Sequence, residues 1–265
     1  MSTVTGVVVV TGAAGGMGRP AAVRFAKQGR PLLLCDVNAE RLDAAAADLR
    51  ASGAEVDGLA GDVAAPDFPD RVLTALGGRP IAALIHTAGL SPTMADGQRI
   101  FEVNYAATER LVAALRPHMS EGGCAVLISS CSAYMVTAPE TVAAVKKLVG
   151  GNREAVADLI GTPQMAYPLS KLAVIGLVAR EAEAFGKRGA RITSIAPGFI
   201  DTEMGRAEAK VSEQMVQMIG ITPMGRLGTG DEIASVAEFL CSPAASYITG
   251  CDIKVDGGIL GKLGL

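Results

Sequence analysis

Tyr167 and Lys171 stand four residues apart in "AYPLSK" (166–171). On a helix that spacing puts both side chains on one face, with Cβ atoms about 5–6 Å apart. A free tyrosine titrates near pKa ~10, too high to serve as a base at neutral pH. An ammonium one turn away, together with the positive charge of an oxidised nicotinamide carrier, favours the phenolate and should lower that value. The pair therefore suits the interconversion of a carbinol and a carbonyl, in which a hydride crosses at carbon while a proton crosses at oxygen. A serine at the end of "CAVLISS" (124–130) can donate or accept at the same oxygen, and Ser129, Ser130 and Ser132 compete for that place. Tyr134 lies closer to these serines in sequence, but the residue four beyond it is Ala138, so it lacks an activating charge. It is expected to line the pocket instead.

A hydride needs a carrier, and the chain offers a cradle for one. "VVVVTGAAGGMGRP" (7–20) holds Thr11, Gly12, Gly16, Met17 and Gly18 in a TGxxxGxG pattern that leaves a strand and opens a helix. Glycines there let the backbone turn tightly and approach a pyrophosphate, whose charge sits at the helix N-terminus. The next strand ends at Asp36, where a carboxylate can accept hydrogen bonds from an adenosine ribose. A carboxylate there repels a 2′-phosphate, and Val37, which follows, offers no basic group to hold one. The reading is NAD in preference to NADP.

The elements that must position these groups alternate. Strands are expected at 6–10, 31–36, within 55–63, at 81–89, 124–130 and 191–198, and in "DIKVDGG" (252–258). Helices are expected at 17–28, 38–53, 67–76, 95–118, 167–188 and 230–241. Buried β-branched runs separated by helices mean a parallel sheet covered on both faces. The expected fold is a single-domain α/β Rossmann fold over 1–265, a doubly wound, seven-stranded parallel sheet of order 3-2-1-4-5-6-7. The segment 133–165 interrupts the rhythm as a helical insertion. It reads as two short amphipathic helices, the first with Val142, Val145, Leu148 and Val149 on one face. The second is capped by Asn152 and carries Val156, Leu159 and Ile160.

Composition limits the alternatives. The 265 residues are 49% hydrophobic and 19% charged, with no Trp, so the chain is globular with an aliphatic core. A net charge of −3 without basic runs argues against nucleic-acid or membrane-surface binding. The longest early apolar run is too short to span a bilayer and lacks the flanks of a signal peptide. Five unpatterned cysteines read as reduced thiols of a cytoplasmic protein, and two histidines make a His-rich metal site improbable, so no metal is expected.

Set in order, these motifs resemble one family. The TGxxxGxG loop, Asp62-Val63, "HTAG" (86–89), Asn104 in "FEVNYAAT", "ISS" ending at Ser130, Tyr167 with Lys171, "PGFIDT" (197–202) and "TGCDIKVDGG" (249–258) resemble the short-chain dehydrogenases/reductases along nearly the whole chain. The resemblance implies that Ser130 is the serine of the site, that Tyr167 is the acid/base, and that Lys171 also holds the nicotinamide ribose. It implies that Asn104 anchors a water in a proton relay and that Asp62 and Val63 face the adenine. It places Ala88 and Gly89 against the adenosine ribose, and Pro197, Gly198, Ile200 and Thr202 at the nicotinamide. The insertion, with "PMGR" and "SPAASY", resembles the 3α-hydroxysteroid dehydrogenase/carbonyl reductase branch. Such an insert can cover the pocket or block a face that other members use to dimerise.

His86 stands where the family usually has Asn. It is read as a satisfied near-core residue able to tie strands through a ring nitrogen, not as a catalyst. The segment 203–220, with Met204, Met215 and Met218, is where the family places a substrate lid. Methionines adapt to irregular apolar ligands, though a stripe at helical spacing more often belongs to a core. The expected function is NAD(H)-dependent interconversion of a secondary alcohol and a ketone, a hydroxysteroid or another bulky apolar carbonyl. The rivals are 3-oxoacyl thioester reduction and cofactor binding without turnover. The apolar tail "DGGILGKLGL" is expected to pack on another subunit of a dimer or tetramer.

Overall fold

The computed structural model describes residues 4–210 and 212–265. Seven strands form one sheet: β1 (Val7–Thr11), β2 (Leu32–Asp36), β3 (Val56–Ala60), β4 (Ile81–His86), β5 (Met119–Ile128), β6 (Arg191–Pro197) and β7 (Asp252–Val255). The order is β3-β2-β1-β4-β5-β6-β7 and every pairing is parallel, as the alternating pattern predicts.

Every residue of β1, β4 and β6 is buried, which is why these strands read as continuous apolar runs rather than alternating ones. The period of two survives in where the side chains go. Val7 and Val9 join the core on one face with Leu33, Leu84 and Leu127, while Val8 and Val10 join the other with Leu32, Leu34 and Val126.

The helices in chain order are α1 (Gly18–Lys27), α2 (Ala39–Ala51), α3 (Phe68–Leu76), α4 (Gly97–Phe101), α5 (Ala107–Leu115), α6 (Pro139–Val149), α7 (Pro163–Gly186), α8 (Glu203–Ala209), α9 (Glu213–Gly220), α10 (Gly230–Leu240) and α11 (Ile259–Leu263). The sequence predicts one unbroken helix over 95–118. The chain instead inserts a π-helical turn, Glu102–Ala106, between α4 and α5, and Asn104 sits in it. One wide turn hardly disturbs the spacing of the apolar residues, so the pattern does not betray it.

The insertion holds α6 as expected, with Val145 and Leu148 buried. Its second helix is a 3₁₀ helix, Arg153–Leu159, with Val156 buried and Asn152 accepting from the Glu154 N–H at 3.2 Å. The seven-residue segment follows Gly151, at φ 106°, and takes the tighter 3₁₀ winding common in short connecting pieces. Pro163 at the first position starts α7 four residues ahead of the predicted boundary. At the other end of the chain, Ile259 and Leu260 of α11 bury against Cys131, with Phe199 and Met218 alongside, so these two tail residues pack on their own chain. Among the described residues, no helix is long and apolar enough to cross a membrane.

Candidate active site

The ends of β1, β4, β5 and β6 open onto a cleft of about 550 Å³. Its walls include Met17 from the glycine loop, Gly89, Ser130, Tyr167 and Lys171, the run Pro197–Ile200 with Thr202, and Met204, Met215 and Met218 of the segment 203–220. Residues that lie far apart in the sequence thus share one cavity at the carboxyl edge of a doubly wound sheet, where such folds bind ligands.

The glycine loop is built for close approach. Gly12 has φ +64°, and a Cβ there would lie 2.8 Å from the Ala88 nitrogen. A Cβ on Gly18 would fall onto the Gly12 carbonyl. The first turn of α1 carries no acidic residue to compete with an anion for its free N–H groups. Asp36 ends β2 facing this loop: the Ala14 N–H donates to Oδ2 at 3.0 Å and the Asn38 N–H to Oδ1 at 3.0 Å. These features fit a dinucleotide with its pyrophosphate on the loop and its adenosine ribose at Asp36.

Val37 offers no basic group, but the groove does. Arg41, in the first turn of α2, donates through Nη2 to the Ala14 carbonyl at 3.3 Å and pairs through Nη1 with Glu203 of α8 at 3.1 Å. The sequence argument considered only the residue after Asp36, so it missed this guanidinium. Asp62 accepts from the Ala64 N–H at 2.9 Å and pairs with Arg99. Burial opposes its charge, yet those two donors outweigh it and hold the carboxyl below its usual range. Val63 beside it is buried.

All three serines line the cleft, but their hydrogen-bond partners differ. Ser129 is buried and committed, donating to the Ile195 carbonyl at 2.8 Å and to Asp252 at 2.6 Å. Ser130 faces the cleft and accepts from the Ser132 N–H at 3.2 Å and the Ser132 hydroxyl at 3.0 Å. Tyr134, expected at the pocket, turns away to donate to Asp252 at 2.9 Å, with Lys254 Nζ 4.3 Å from its ring centre; Met135 lines the cleft in its stead.

Tyr167 and Lys171 emerge from α7 side by side, with Nζ 5.8 Å from the phenol ring centre. Lys171 is buried and donates to the Ile128 carbonyl at 2.9 Å, which aims it at the strand that delivers Ser130. Burial lowers its pKa to about 8. Burial raises the Tyr167 phenol above its ordinary range, the Ser130 hydroxyl pulls it down, and Glu208 and Cys131 push it up. The protein alone therefore does not give the lowered tyrosine that the spacing predicts, because desolvation outweighs the hydrogen bond that favours the phenolate.

Gly89 joins Asn104 to this pair: a Cβ there would lie 3.2 Å from Asn104 Oδ1 and 3.5 Å from Lys171 Nζ. The Asn104 side chain clamps Leu90, accepting from its N–H at 2.7 Å and donating to its carbonyl at 2.9 Å.

His86 is fully engaged. Its Nδ1 lies 2.8 Å from Thr11 Oγ1 and its Nε2 2.8 Å from Thr108 Oγ1. Thr108 gives its own proton to the Asn104 carbonyl at 2.9 Å, so it accepts from Nε2–H, and Nδ1 accepts from Thr11. Burial drives the imidazole pKa down to about 3, so the ring is neutral. The expectation of one ring nitrogen tying strands is met by two, which join β1 and β4 to each other and to the start of α5. Thr11 also accepts, at 3.4 Å, from the Ala88 N–H.

A short chain dehydrogenase profile matches residues 6–145, and an Enoyl-(Acyl carrier protein) reductase profile matches residues 154–260. L-rhamnose 1-dehydrogenase (NAD(P)(+)) of Sphingomonas sp. (strain SKA58) is 31% identical over 267 residues, 95% of each chain. The 7alpha-hydroxysteroid dehydrogenase of Escherichia coli (strain K12) is 28% identical over 262 residues, 94% of this chain and 92% of the other. A 3-oxoacyl-[acyl-carrier protein] reductase with bound NAD from Brucella melitensis matches with a TM-score of 0.74 at 27% identity, covering 95% of this chain and 90% of that one.

Proposed function

The chain belongs to the short-chain dehydrogenase/reductase family and is an oxidoreductase of that family, and on this premise we propose that it interconverts a secondary alcohol and a ketone with NAD(H). The observation that carries the reading is the meeting of Ser130, Tyr167 and Lys171 in one cleft beside the glycine loop.

In this reading Gly12, Gly16, Met17 and Gly18 receive the pyrophosphate. Asp36 takes the adenosine ribose, with Ala88 and Gly89 beside it, and Asp62 and Val63 face the adenine. Pro197, Gly198, Ile200 and Thr202 flank the nicotinamide, which supplies the hydride acceptor or donor when bound. Ser130 orients the substrate oxygen by a hydrogen bond. Tyr167 takes the hydroxyl proton during oxidation and returns it during reduction. Lys171, still largely protonated at neutral pH, supplies a positive charge against the phenolate and a donor for the ribose. Asn104 keeps the relay in register with the substrate-side loop at Leu90.

The apolar lining from Leu90, Pro92, Met204, Met215 and Met218 supports a bulky ketone, a hydroxysteroid among them. Asp36 supports NAD, while Arg41 supports some tolerance of NADP. We place the enzyme in the cytoplasm as a homo-oligomer. The test is NADH and NADPH consumption, side by side, against steroid, aliphatic, aromatic and acyl-thioester ketones. Tyr167→Phe should lower kcat/KM by about 10²–10⁴-fold. Activity that survives this change would overturn the mechanism, and turnover confined to thioesters would favour 3-oxoacyl reduction.

A further inference from the structure

The lid brings a carboxylate into the cleft that the chemistry above does not use. Glu208, near the end of α8, lines the cavity that holds Tyr167, Ser130 and the lid methionines. Its Oε1 is shielded from solvent and, among the described residues, has no hydrogen-bond partner. Native proteins seldom leave such an oxygen unmatched, because a shielded acceptor atom without a donor forfeits its hydration without return. An unmatched acceptor at the wall of a ligand cavity is a place for a ligand donor. Its surroundings agree. Burial pushes the Glu208 carboxyl above its ordinary range while a hydrogen bond from Ser91 pulls it down, and the residue lines the same cavity as Tyr167. The hydroxyls of Thr93 and Ser132 line the same cavity, and such groups can both give and accept to a polyhydroxylated ligand.

Resting on the alcohol–ketone reading above, we propose that Glu208 selects a secondary alcohol bearing a second hydroxyl on a carbon other than the reacting one, the second hydroxyl donating to Oε1 while the apolar body lies on the lid methionines. A hydroxyl is favoured over an ammonium because the same lining already holds a cation, Lys171, which would oppose a second one.

The test uses size-matched alcohols with NAD and the whole protein: cyclohexanol, trans-cyclohexane-1,2-diol and trans-2-aminocyclohexanol. Wild type should prefer the diol to the mono-ol by about 10–100-fold in kcat/KM, the value of a hydrogen bond to a charged group. Glu208→Met should bring that ratio toward one, and Glu208→Gln, which keeps an acceptor, should retain part of it. The affinity of each variant for NADH, read from coenzyme fluorescence, reports whether the lid change has disturbed the fold. A wild-type ratio near one, a ratio unmoved in Glu208→Met, or a preference for the amino alcohol would overturn the proposal. Failure of the underlying reading looks different: no alcohol turns over, or turnover survives Tyr167→Phe. Titration of the three alcohols into the NADH complex then decides the matter by binding alone. Diol selectivity that vanishes in Glu208→Met supports the site, and its absence sinks it.

Discussion

Asp36 and Arg41 stand on the same edge of the coenzyme groove and act in opposite senses on a 2′-phosphate. The carboxylate repels it, while the guanidinium, held at the Ala14 carbonyl, could meet it. Asp36→Ala removes the repulsion and leaves the cation, so the ratio of NADPH to NADH kcat/KM should rise by about 10-fold or more, each tenfold being about 1.4 kcal/mol. Paired assays with both coenzymes measure this, and an unmoved ratio would show that Asp36 does not set the choice. At this scale the sequence is informative where chemistry is written locally. Tyr167 and Lys171 share a helical turn, and Gly12, Gly16 and Gly18 share a loop, so spacing alone brings each set together. Arg41 and Glu208 escape notice because their meaning comes from tertiary placement: one is an ordinary charge on α2, the other an ordinary charge on the short helix α8, until folding sets them against the glycine loop and the cleft.

His86 acts as a clamp between elements. A neutral imidazole donates on one edge and accepts on the other, and so spans from Thr11 on β1 to Thr108 at α5. This geometry has a pH signature. The native ring takes up a proton only near pH 3, whereas the unfolded chain does so near 6.5. Below 6.5 the unfolded state therefore binds more protons, and this residue's contribution, complete above 6.5, is lost as the pH falls toward 3. In His86→Asn the fall in Tm between pH 6.5 and 4 should be shallower than in wild type, measured by circular dichroism across that range. Identical slopes would mean that the ring is not held neutral. The parallel, doubly covered sheet was legible because buried apolar runs alternate with helical periods, and its strand order followed from the likeness to doubly wound dinucleotide-binding folds. The π-turn at Asn104 and the 3₁₀ form of Arg153–Leu159 were not, since each changes hydrogen-bond partners by one residue without moving the apolar stripe out of the core.

On the scale of the whole molecule, the insertion is fastened to the body as well as to the site. Gly176 of α7 lets α6 come close: a Cβ there would lie 2.9 Å from Val149 Cγ2. Glu109 of α5 accepts from Arg153 of the insertion and from Arg180 of α7, each at 2.8 Å. Gly176→Val should therefore overpack this seam and cost about 1–3 kcal/mol, read as a lower urea midpoint at unchanged slope. A midpoint equal to that of wild type would mean that the insertion is loosely held. The sequence shows that an insertion exists, but not its seat, because the seat depends on an absent side chain at Gly176 and on partners some 40 and 70 residues away in the chain. The strand order carries a last consequence, for synthesis. Strands β3, β2 and β1 stand in succession at one side of the sheet, and they lead to Gly12, Asp36 and Asp62 within the first quarter of the chain. A ribosome thus delivers the nucleotide half as a contiguous block before any of Ser130, Tyr167 or Lys171 has been made. Each later strand, from β4 onward, then adds beside one already present.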